Sequence, residues 1–196
     1  MSVQESDHGG EQMQTPLFID NCAWDVFFAA GVDLSQEFPR ELFTLWITRE
    51  AEFEIPPIKK PGLKDYIANQ IRLSNIRTHS YFGFYDESHA PEDQRVGGFD
   101  VGWFISQQEL DFIASQRSKV GGSKKVSTRL FKNEADISVA SRSFHSVVLT
   151  TNFRQGQPLK AAMEQGGRVV FLNDLPTSGL SLRAYVESRI GRLIIN

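Results

Sequence analysis

The chain has one cysteine, Cys22, among its 196 residues, so no disulfide bond can form within it. Cys22 stands beside an apolar stretch with no histidine or other base nearby, which predicts a buried thiol and not a catalytic one. The sequence has no run of about 18 apolar residues and does not begin with a basic segment followed by an apolar run. These absences predict no transmembrane helix, no signal peptide and no membrane partner, and they favour a reducing compartment, the cytoplasm.

Residue patterns typical of several enzyme classes are also missing. The histidines are scattered, and with a single cysteine they lack the spacing that a zinc site requires. The paired glycines at 97–98 and 121–122 are not part of a phosphate-loop motif, and no serine stands in a nucleophile elbow. The sequence therefore gives no support to a zinc enzyme, a P-loop NTPase or a serine hydrolase.

The overall charge is nearly balanced, with a formal net charge of −3. Proteins that bind nucleic acid over a broad surface are usually basic, so such a surface is not expected here. One segment differs, because residues 112–133 contain no Asp or Glu but six basic residues: Arg117, Lys119, Lys124, Lys125, Arg129 and Lys132. This segment is interpreted either as a local phosphate-binding surface or as a flexible loop whose charges are only solvated.

Apolar patterning predicts strands alternating with helices. The predicted strands are 17–19, 147–149 and 169–172, with a further edge strand at 192–196. The predicted helices are 21–30, 36–53, 59–73, 104–116, 133–144, 158–165 and 180–190. Residues 1–14 are interpreted as a disordered tail, residues 80–102 as irregular structure, and residues 120–127 as a loop. This order predicts an α/β fold, a three-layer α/β/α sandwich around a central parallel sheet.

Polar residues follow the three predicted buried strands. Asp20-Asn21, Thr150-Thr151-Asn152 and Asn173-Asp174 each stand directly after an apolar run. In parallel sheets, ligand sites lie outside the carboxyl ends of the strands. These groups are therefore expected around one crevice, with Asp174 as a more distant candidate.

Acidic residues elsewhere in the chain each have two interpretations. Asp20 is either a helix cap or a ligand at the mouth of the sheet. Glu50, Glu52 and Glu54 lie within one helical segment, where they form either a solvated face or, through one member, part of a site. Asp136 stands at the start of an apolar helix, where the helix dipole also favours a negative charge.

Four short motifs occur together in a fixed order. A strand ends in Asp within 18–24 (Phe-Ile-Asp-Asn-Cys-Ala-Trp), and Thr48 is followed six positions later by Glu54. The run 133–140 (Asn-Glu-Ala-Asp-Ile-Ser-Val-Ala) precedes a strand that ends in 149–152 (Leu-Thr-Thr-Asn). In this combination the chain resembles the PIN domain family, from about residue 16 to residue 172.

The resemblance implies a PIN-like domain over residues 15–196, with an insertion at about 77–122 that makes the chain longer than the compact toxins of that family. The acidic positions of the family would fall on Asp20, Glu54 and Asp136, which would hold Mg²⁺ or Mn²⁺. The fourth position, commonly Asp, falls on Asn152, which would assist catalysis. Thr150 or Thr151 would orient water or phosphate.

By the same resemblance, the expected function is a metal-dependent endonuclease, more specifically an endoribonuclease, that hydrolyses phosphodiester bonds with metal-activated water. RNA would be bound by the basic residues Lys119, Lys124, Lys125, Arg129 and Lys132. A toxin role in a toxin–antitoxin module is implied as well, with an inhibitory antitoxin-like protein or a homo-oligomer as partner. Two alternatives stay open: a catalytically inactive PIN-like RNA-binding or scaffold protein, and a metal-dependent phosphohydrolase that acts on nucleotides.

Overall fold

The protein is described by a computed structural model that covers residues 14–84, 87, 89–99 and 101–194. Within these residues, seven strands form one sheet in which every strand pair is parallel. The strands are β1 (Thr15–Ile19), β2 (Phe43–Thr48), β3 (Arg77–Phe82), β4 (Val96–Gly97), β5 (Gly102–Trp103), β6 (Val147–Thr150) and β7 (Arg168–Phe171).

Helices cover both faces of the sheet. They are α1 (Ala23–Ala29), α2 (Leu34–Glu37), α3 (Arg49–Glu54), α4 (Leu63–Leu73), α5 (Gln107–Gln116), α6 (Glu134–Arg142), α7 (Pro158–Glu164), α8 (Leu175–Ser178) and α9 (Leu182–Ile194). One core cluster joins the sheet to α1, α4 and α9, and a second joins its other face to α5, α6 and α7. This arrangement confirms the predicted α/β sandwich. None of the described helices is both long enough and apolar enough to cross a lipid bilayer.

The strand order is β4-β3-β2-β1-β6-β7, with β5 also paired to β3. The chain first builds outward from β1 to β2 and β3, and it then returns to place β6 on the other side of β1. The order therefore reverses between β1 and β6. In open parallel sheets this reversal leaves a crevice at the carboxyl ends of the two strands.

The central strands are buried on both faces because helices cover both. Leu17, Ile19, Val147, Val148 and Leu149 are each 0% exposed. Such strands read as continuous apolar runs and not as alternating patterns. For this reason the predictions at 17–19, 147–149 and 169–172 are confirmed, as β1, β6 and β7.

The predicted helix at 36–53 is wrong. Its middle is the strand β2, which separates the short helices α2 and α3. Phe43, Leu45, Trp46 and Ile47 are all buried, so this strand also lacks a period of two. A short apolar run that is buried on both sides cannot be assigned by periodicity alone, and the aromatic and β-branched residues here favour a strand.

Two further assignments change. The stretch 80–102, predicted to be irregular, includes the end of β3, the two-residue strand β4 and the first residue of β5. The predicted edge strand at 192–196 is wrong as far as Ile194, because α9 continues through that residue, and residues 195–196 lie outside the described part. The predicted tail, residues 1–14, also lies outside it apart from Gln14. Residues 77–122, the predicted insertion, supply β3 to the sheet and α5 to one helical layer.

Candidate functional site

Asp20 lies directly after β1 and is only 8% exposed. Its Oδ2 atom accepts hydrogen bonds from Thr150 Oγ1 at 2.6 Å and from Cys22 Sγ at 2.9 Å. Thr150 is the last residue of β6, so its hydrogen bond to Asp20 joins the ends of β1 and β6, where the strand order reverses. Burial raises the pKa of Asp20 above its usual value, and the hydrogen bonds from Cys22 and Thr150 oppose this rise.

The helix α3 directs its three glutamates to three different places. Glu50 is buried and accepts a hydrogen bond from Ser138 Oγ at 2.5 Å. Glu52 pairs with Arg49 and Thr78. Glu54 reaches the carboxyl edge of the sheet, where its Oε2 atom accepts from Asn21 Nδ2 at 2.9 Å. Of the three, Glu54 is therefore the one that shares a cleft with Asp20.

The phase of α3 follows from how the helix begins. Thr48, the last residue of β2, has extended backbone, and its Oγ1 accepts from the amide of Ala51 at 3.1 Å. This side-chain cap starts the helix immediately after the strand.

Burial raises the pKa of Glu54, the charge of Asp20 adds to the rise, and the hydrogen bond from Asn21 opposes it.

Asp136 stands in the first turn of α6, and its carboxyl group faces the same cleft. Its pKa is raised from 3.8 to about 6, first by burial and then by the negative charges of Asp20 and Glu54. The charge of Lys125 and a hydrogen bond from Asn152 act in the opposite direction. The three carboxyl groups are thus close enough to influence one another electrostatically.

The cleft has a volume of about 510 Å³ and is predominantly polar in its lining. Its lining residues are Asp20, Asn21, Cys22, Glu54, Asp136, Thr151, Asn152, Phe153, Arg154 and Asn173. All four residues predicted to be catalytic line this one cleft. Thr150 lies behind Asp20 and is fully buried, whereas Asp174 is not among the lining residues.

Three contributors to the cleft had no assigned role in the sequence. Asn21 donates from Nδ2 to both Glu54 and the carbonyl of Ala51, each at 2.9 Å. Its Oδ1 atom is buried with no hydrogen-bond partner among the described residues. Arg154 adds a cation to the lining, and Asn173 donates to the carbonyl of Thr151 at 3.1 Å. For Asn21 and Asn173 the only signal in the sequence is their position at the end of a strand, whereas Arg154 has no such signal.

Cys22 is a structural neighbour of the carboxylates. Burial raises the pKa of its thiol to about 12, and the nearby charge of Asp20 contributes to this rise. The thiol is therefore protonated at neutral pH, which makes it a poor nucleophile. Its hydrogen bond to Asp20 is consistent with the predicted non-catalytic role.

The basic residues of the segment 112–133 make different contacts from one another. Lys125 is the member whose positive charge lowers the pKa of both Glu54 and Asp136. Arg129 is already paired with Asp93, at 2.6 Å, and Lys124 contacts His89 Nε2 at 2.6 Å. Lys119 donates to the carbonyl of Gly156 at 2.9 Å, and Lys132 is exposed. The segment thus does not act as one uniform basic surface.

The donor chemistry of the cleft suits a cation that prefers oxygen ligands. Three carboxylates face it, and the buried Oδ1 atom of Asn21 beside Glu54 has no described partner. Mg²⁺ and Mn²⁺ prefer such ligands. However, within the described residues no three His, Cys, Asp or Glu side chains are close enough together to hold a metal ion jointly. A cation would therefore have to draw the carboxylates closer to one another.

Comparison of the chain with protein-family models, with curated proteins and with solved structures finds no match.

Proposed function

We propose that this protein is a metal-dependent endonuclease that cleaves RNA, with its active site in the cleft between β1 and β6. The observation that carries the proposal is the meeting of Asp20, Glu54 and Asp136 in one cleft, with the pKa of each raised. Raised carboxyl pKa values in a cleft are typical of functional sites. Carboxylates held this close to one another repel, and a bound cation would relieve that repulsion.

The side chains of the cleft have distinct tasks in this proposal. Asp20, Glu54 and Asp136 would hold Mg²⁺ or Mn²⁺, which supplies an activated water and stabilises the charge that develops on phosphate. Asn152, hydrogen-bonded to Asp136, orients that carboxylate. Asn21 orients Glu54 through its 2.9 Å hydrogen bond. Thr150 fixes Asp20 through the hydrogen bond to Oδ2.

RNA is the substrate that the surroundings of the cleft favour. Arg154 in the lining and Lys125 nearby provide positive charge beside the carboxylates. Lys119 and Lys132 belong to the same basic segment as Lys125, and guanidinium and ammonium groups are the usual partners of phosphate oxygens. Arg129 and Lys124 have other contacts and would contribute less. A cytoplasmic toxin role, an antitoxin-like inhibitor and a homo-oligomeric state all belong to this proposal.

The test is cleavage of labelled single-stranded RNA, structured RNA and DNA in the presence of Mg²⁺ or Mn²⁺. The variants Asp20→Asn and Asp136→Asn are nearly isosteric and should reduce the rate by about a hundredfold or more while remaining folded in thermal unfolding. Asp174→Asn is the matched control, because Asp174 is exposed and does not line the cleft, and it should cut like the wild type. A wild type that cuts nothing with either metal, or acidic variants that cut equally well, would contradict the proposal.

A second candidate is a PIN-like RNA-binding or scaffold protein without catalysis. Two observations favour it: Asn152 stands where a fourth carboxylate is expected, and the described carboxylates do not form a ready-made group of three ligands. In that case RNA binding would survive Asp20→Asn and Asp136→Asn unchanged, and no metal would alter it. A nucleotide phosphohydrolase would instead act on mononucleotides and leave oligomers intact.

A further inference from the structure

A second groove, of about 590 Å³, lies on one face of the sheet. Its floor is formed by Phe18, Trp46, His79 and Tyr81, which point to the same face from β1, β2 and β3. Residues at the start of α5 and the end of α6 line one side, and Trp103 of β5 also borders the groove. The groove shares no lining residue with the carboxylate cleft.

Aromatic rings dominate this groove, and two of them are exposed. Trp103 stacks on the ring of His79 with a centroid distance of 5.4 Å and an interplanar angle of 19°, and its edge meets Trp46 at 5.6 Å. Trp103 is nevertheless 51% exposed, and Phe104 beside it is 85% exposed. Burial and the charge of Arg142 lower the pKa of His79 to about 3, so its ring is neutral at neutral pH. Exposed aromatic faces of this kind are platforms on which planar rings stack.

Arg142 is the most unusual group in the lining, because its side chain is charged and the residue is only 3% exposed. Its Nη1 atom donates to Ser138 O at 2.8 Å, Ser138 Oγ at 2.9 Å and Ser141 Oγ at 3.3 Å, all of which are neutral acceptors. Its Nε atom has no hydrogen-bond partner among the described residues. Its guanidinium lies 3.6 Å from the centroid of the Tyr81 ring.

The positive charge of Arg142 is compensated only indirectly. Arg142 forms no ion pair in the described part of the chain. The hydroxyl group of Ser138 links it to a carboxylate, because this group accepts a hydrogen bond from Arg142 and donates one to Glu50. Glu109, which also lines the groove, accepts instead from Tyr81 and Ser106. A buried charge without a close partner is costly, so an anion in the groove would be stabilised. Arg77 adds a second guanidinium, 4.7 Å from the centroid of the Trp46 ring.

We propose that this groove binds a nucleotide, whose base stacks on the exposed face of Trp103 while its phosphate accepts hydrogen bonds from Arg77 and Arg142. A nucleotide combines the planar ring that the aromatic lining favours with the anion that the guanidinium groups require. The volume of the groove falls within the range of small-molecule sites. The same chemistry is offered by a free nucleotide and by one unit of an RNA chain. Binding here is independent of cleavage in the carboxylate cleft.

Isothermal titration calorimetry in EDTA, where metal-dependent cleavage cannot occur, tests this proposal. The titrants are AMP, adenosine, inorganic phosphate and a short single-stranded RNA. AMP should bind about tenfold more tightly than adenosine or phosphate alone, because it engages both the rings and the guanidinium groups. Trp103→Ala and Arg77→Ala, at two exposed positions where folding should survive, should each weaken AMP binding about tenfold. Arg72→Ala, at an exposed position on α4, is the matched control and should not change it.

The remaining outcomes separate the sources of the ligand and the two proposals. RNA that binds more tightly than AMP, with the same dependence on Trp103 and Arg77, identifies a chain of nucleotides as the ligand, and the reverse order identifies a free nucleotide. Asp20→Asn should retain AMP binding even where cleavage is lost or never existed. No binding by AMP or RNA, or equal binding by the Trp103 and Arg77 variants, would overturn the inference. Equally tight binding of an aromatic carboxylate such as indole-3-acetate would overturn it as well.

Discussion

Asn21 connects the end of the first strand with the carboxylate of α3. Its Nδ2 atom donates to the carbonyl of Ala51 and to Glu54, both at 2.9 Å, so one amide group fixes the backbone and the side chain of the same helix. Its Oδ1 atom remains buried without a described partner. Asn21 thereby determines where the Glu54 carboxylate lies relative to Asp20.

The roles of individual residues were only partly readable from the sequence. The sequence predicts Asp20 and Asn152 at one crevice, because polar residues at the ends of parallel strands meet at one edge. Asp136 joins this site only through the resemblance to the PIN domain family. Glu54 was assigned by resemblance alone, with Glu50 and Glu52 left open, because the register of α3 depends on where its cap lies. Arg154 was missed because its position depends on a turn conformation that the sequence does not specify.

Asp136 should make the stability of the metal-free protein depend on pH. Its pKa is raised to about 6 from 3.8, so the folded state holds a proton that the unfolded state releases. This contribution is fully present below about pH 4 and is lost as the pH rises through about 6. In EDTA at neutral pH, Asp136→Asn should therefore unfold at a higher temperature than the wild type, with a gain of about 1–2 kcal/mol after allowance for partial exposure.

Thermal unfolding at several pH values checks this expectation. The difference in unfolding temperature between Asp136→Asn and the wild type should shrink towards zero near pH 4, because Asp136 is then protonated in the folded wild type and neither protein carries a charge there. Asp174→Asn serves as the control, since that exposed carboxylate lies outside the cleft. An Asp136→Asn protein that is less stable than the wild type at neutral pH, by an amount independent of pH, would show that this carboxyl group is not held among like charges.

At the scale of elements, the largest difference between the predicted and the observed secondary structure lies at β2 and α3. The sequence predicts a helix over the apolar run of β2, because a strand buried on both faces has no alternation to identify it. β1, β6 and β7 were recognised because turn-forming or polar residues bound their short apolar runs. β4 and β5 have two residues each, which is too short for any periodic signal. The layer architecture was still predictable because it needs only the alternation of strands and helices.

The cap of α3 should matter more for activity than for stability. Thr48→Val keeps the shape of the side chain but removes the hydroxyl group that accepts a hydrogen bond from the amide of Ala51. We expect a loss of about 1 kcal/mol in the free energy of unfolding. Because Glu54 stands on the same short helix, we also expect the cleavage rate to fall by about tenfold or more.

A matched control separates the two effects of this substitution. Asp33 caps α2 by accepting a 2.9 Å hydrogen bond from the amide of Ser35, and it does not line the cleft. Asp33→Ala should cost a similar amount of stability, measured by urea unfolding, without lowering the cleavage rate. If both variants lose activity in proportion to their stability, then the cap of α3 has no specific role in placing Glu54.

At the scale of the whole molecule, acidic and basic side chains are concentrated in different places, although the net charge is only −3. The carboxylates gather at the carboxyl edge of the sheet, and the charge of Lys125, from the basic segment 112–133, acts on two of them. The aromatic groove with its guanidinium groups lies on a face of the sheet and shares no residue with that cleft. The average charge therefore says little about partners, because each opening has its own electrostatic character.

The central claim, that the cleft holds a divalent cation through Asp20, Glu54 and Asp136, is tested most directly by calorimetric titration of Mn²⁺ into the wild type, Glu54→Gln and Glu52→Gln. These two glutamates stand on the same helix, but Glu54 faces the cleft whereas Glu52 pairs with Arg49 and Thr78. We predict that the wild type and Glu52→Gln bind Mn²⁺ alike, and that Glu54→Gln binds about tenfold more weakly or not at all. A wild type that binds no Mn²⁺, or a Glu54→Gln protein that binds it as tightly, would contradict the claim.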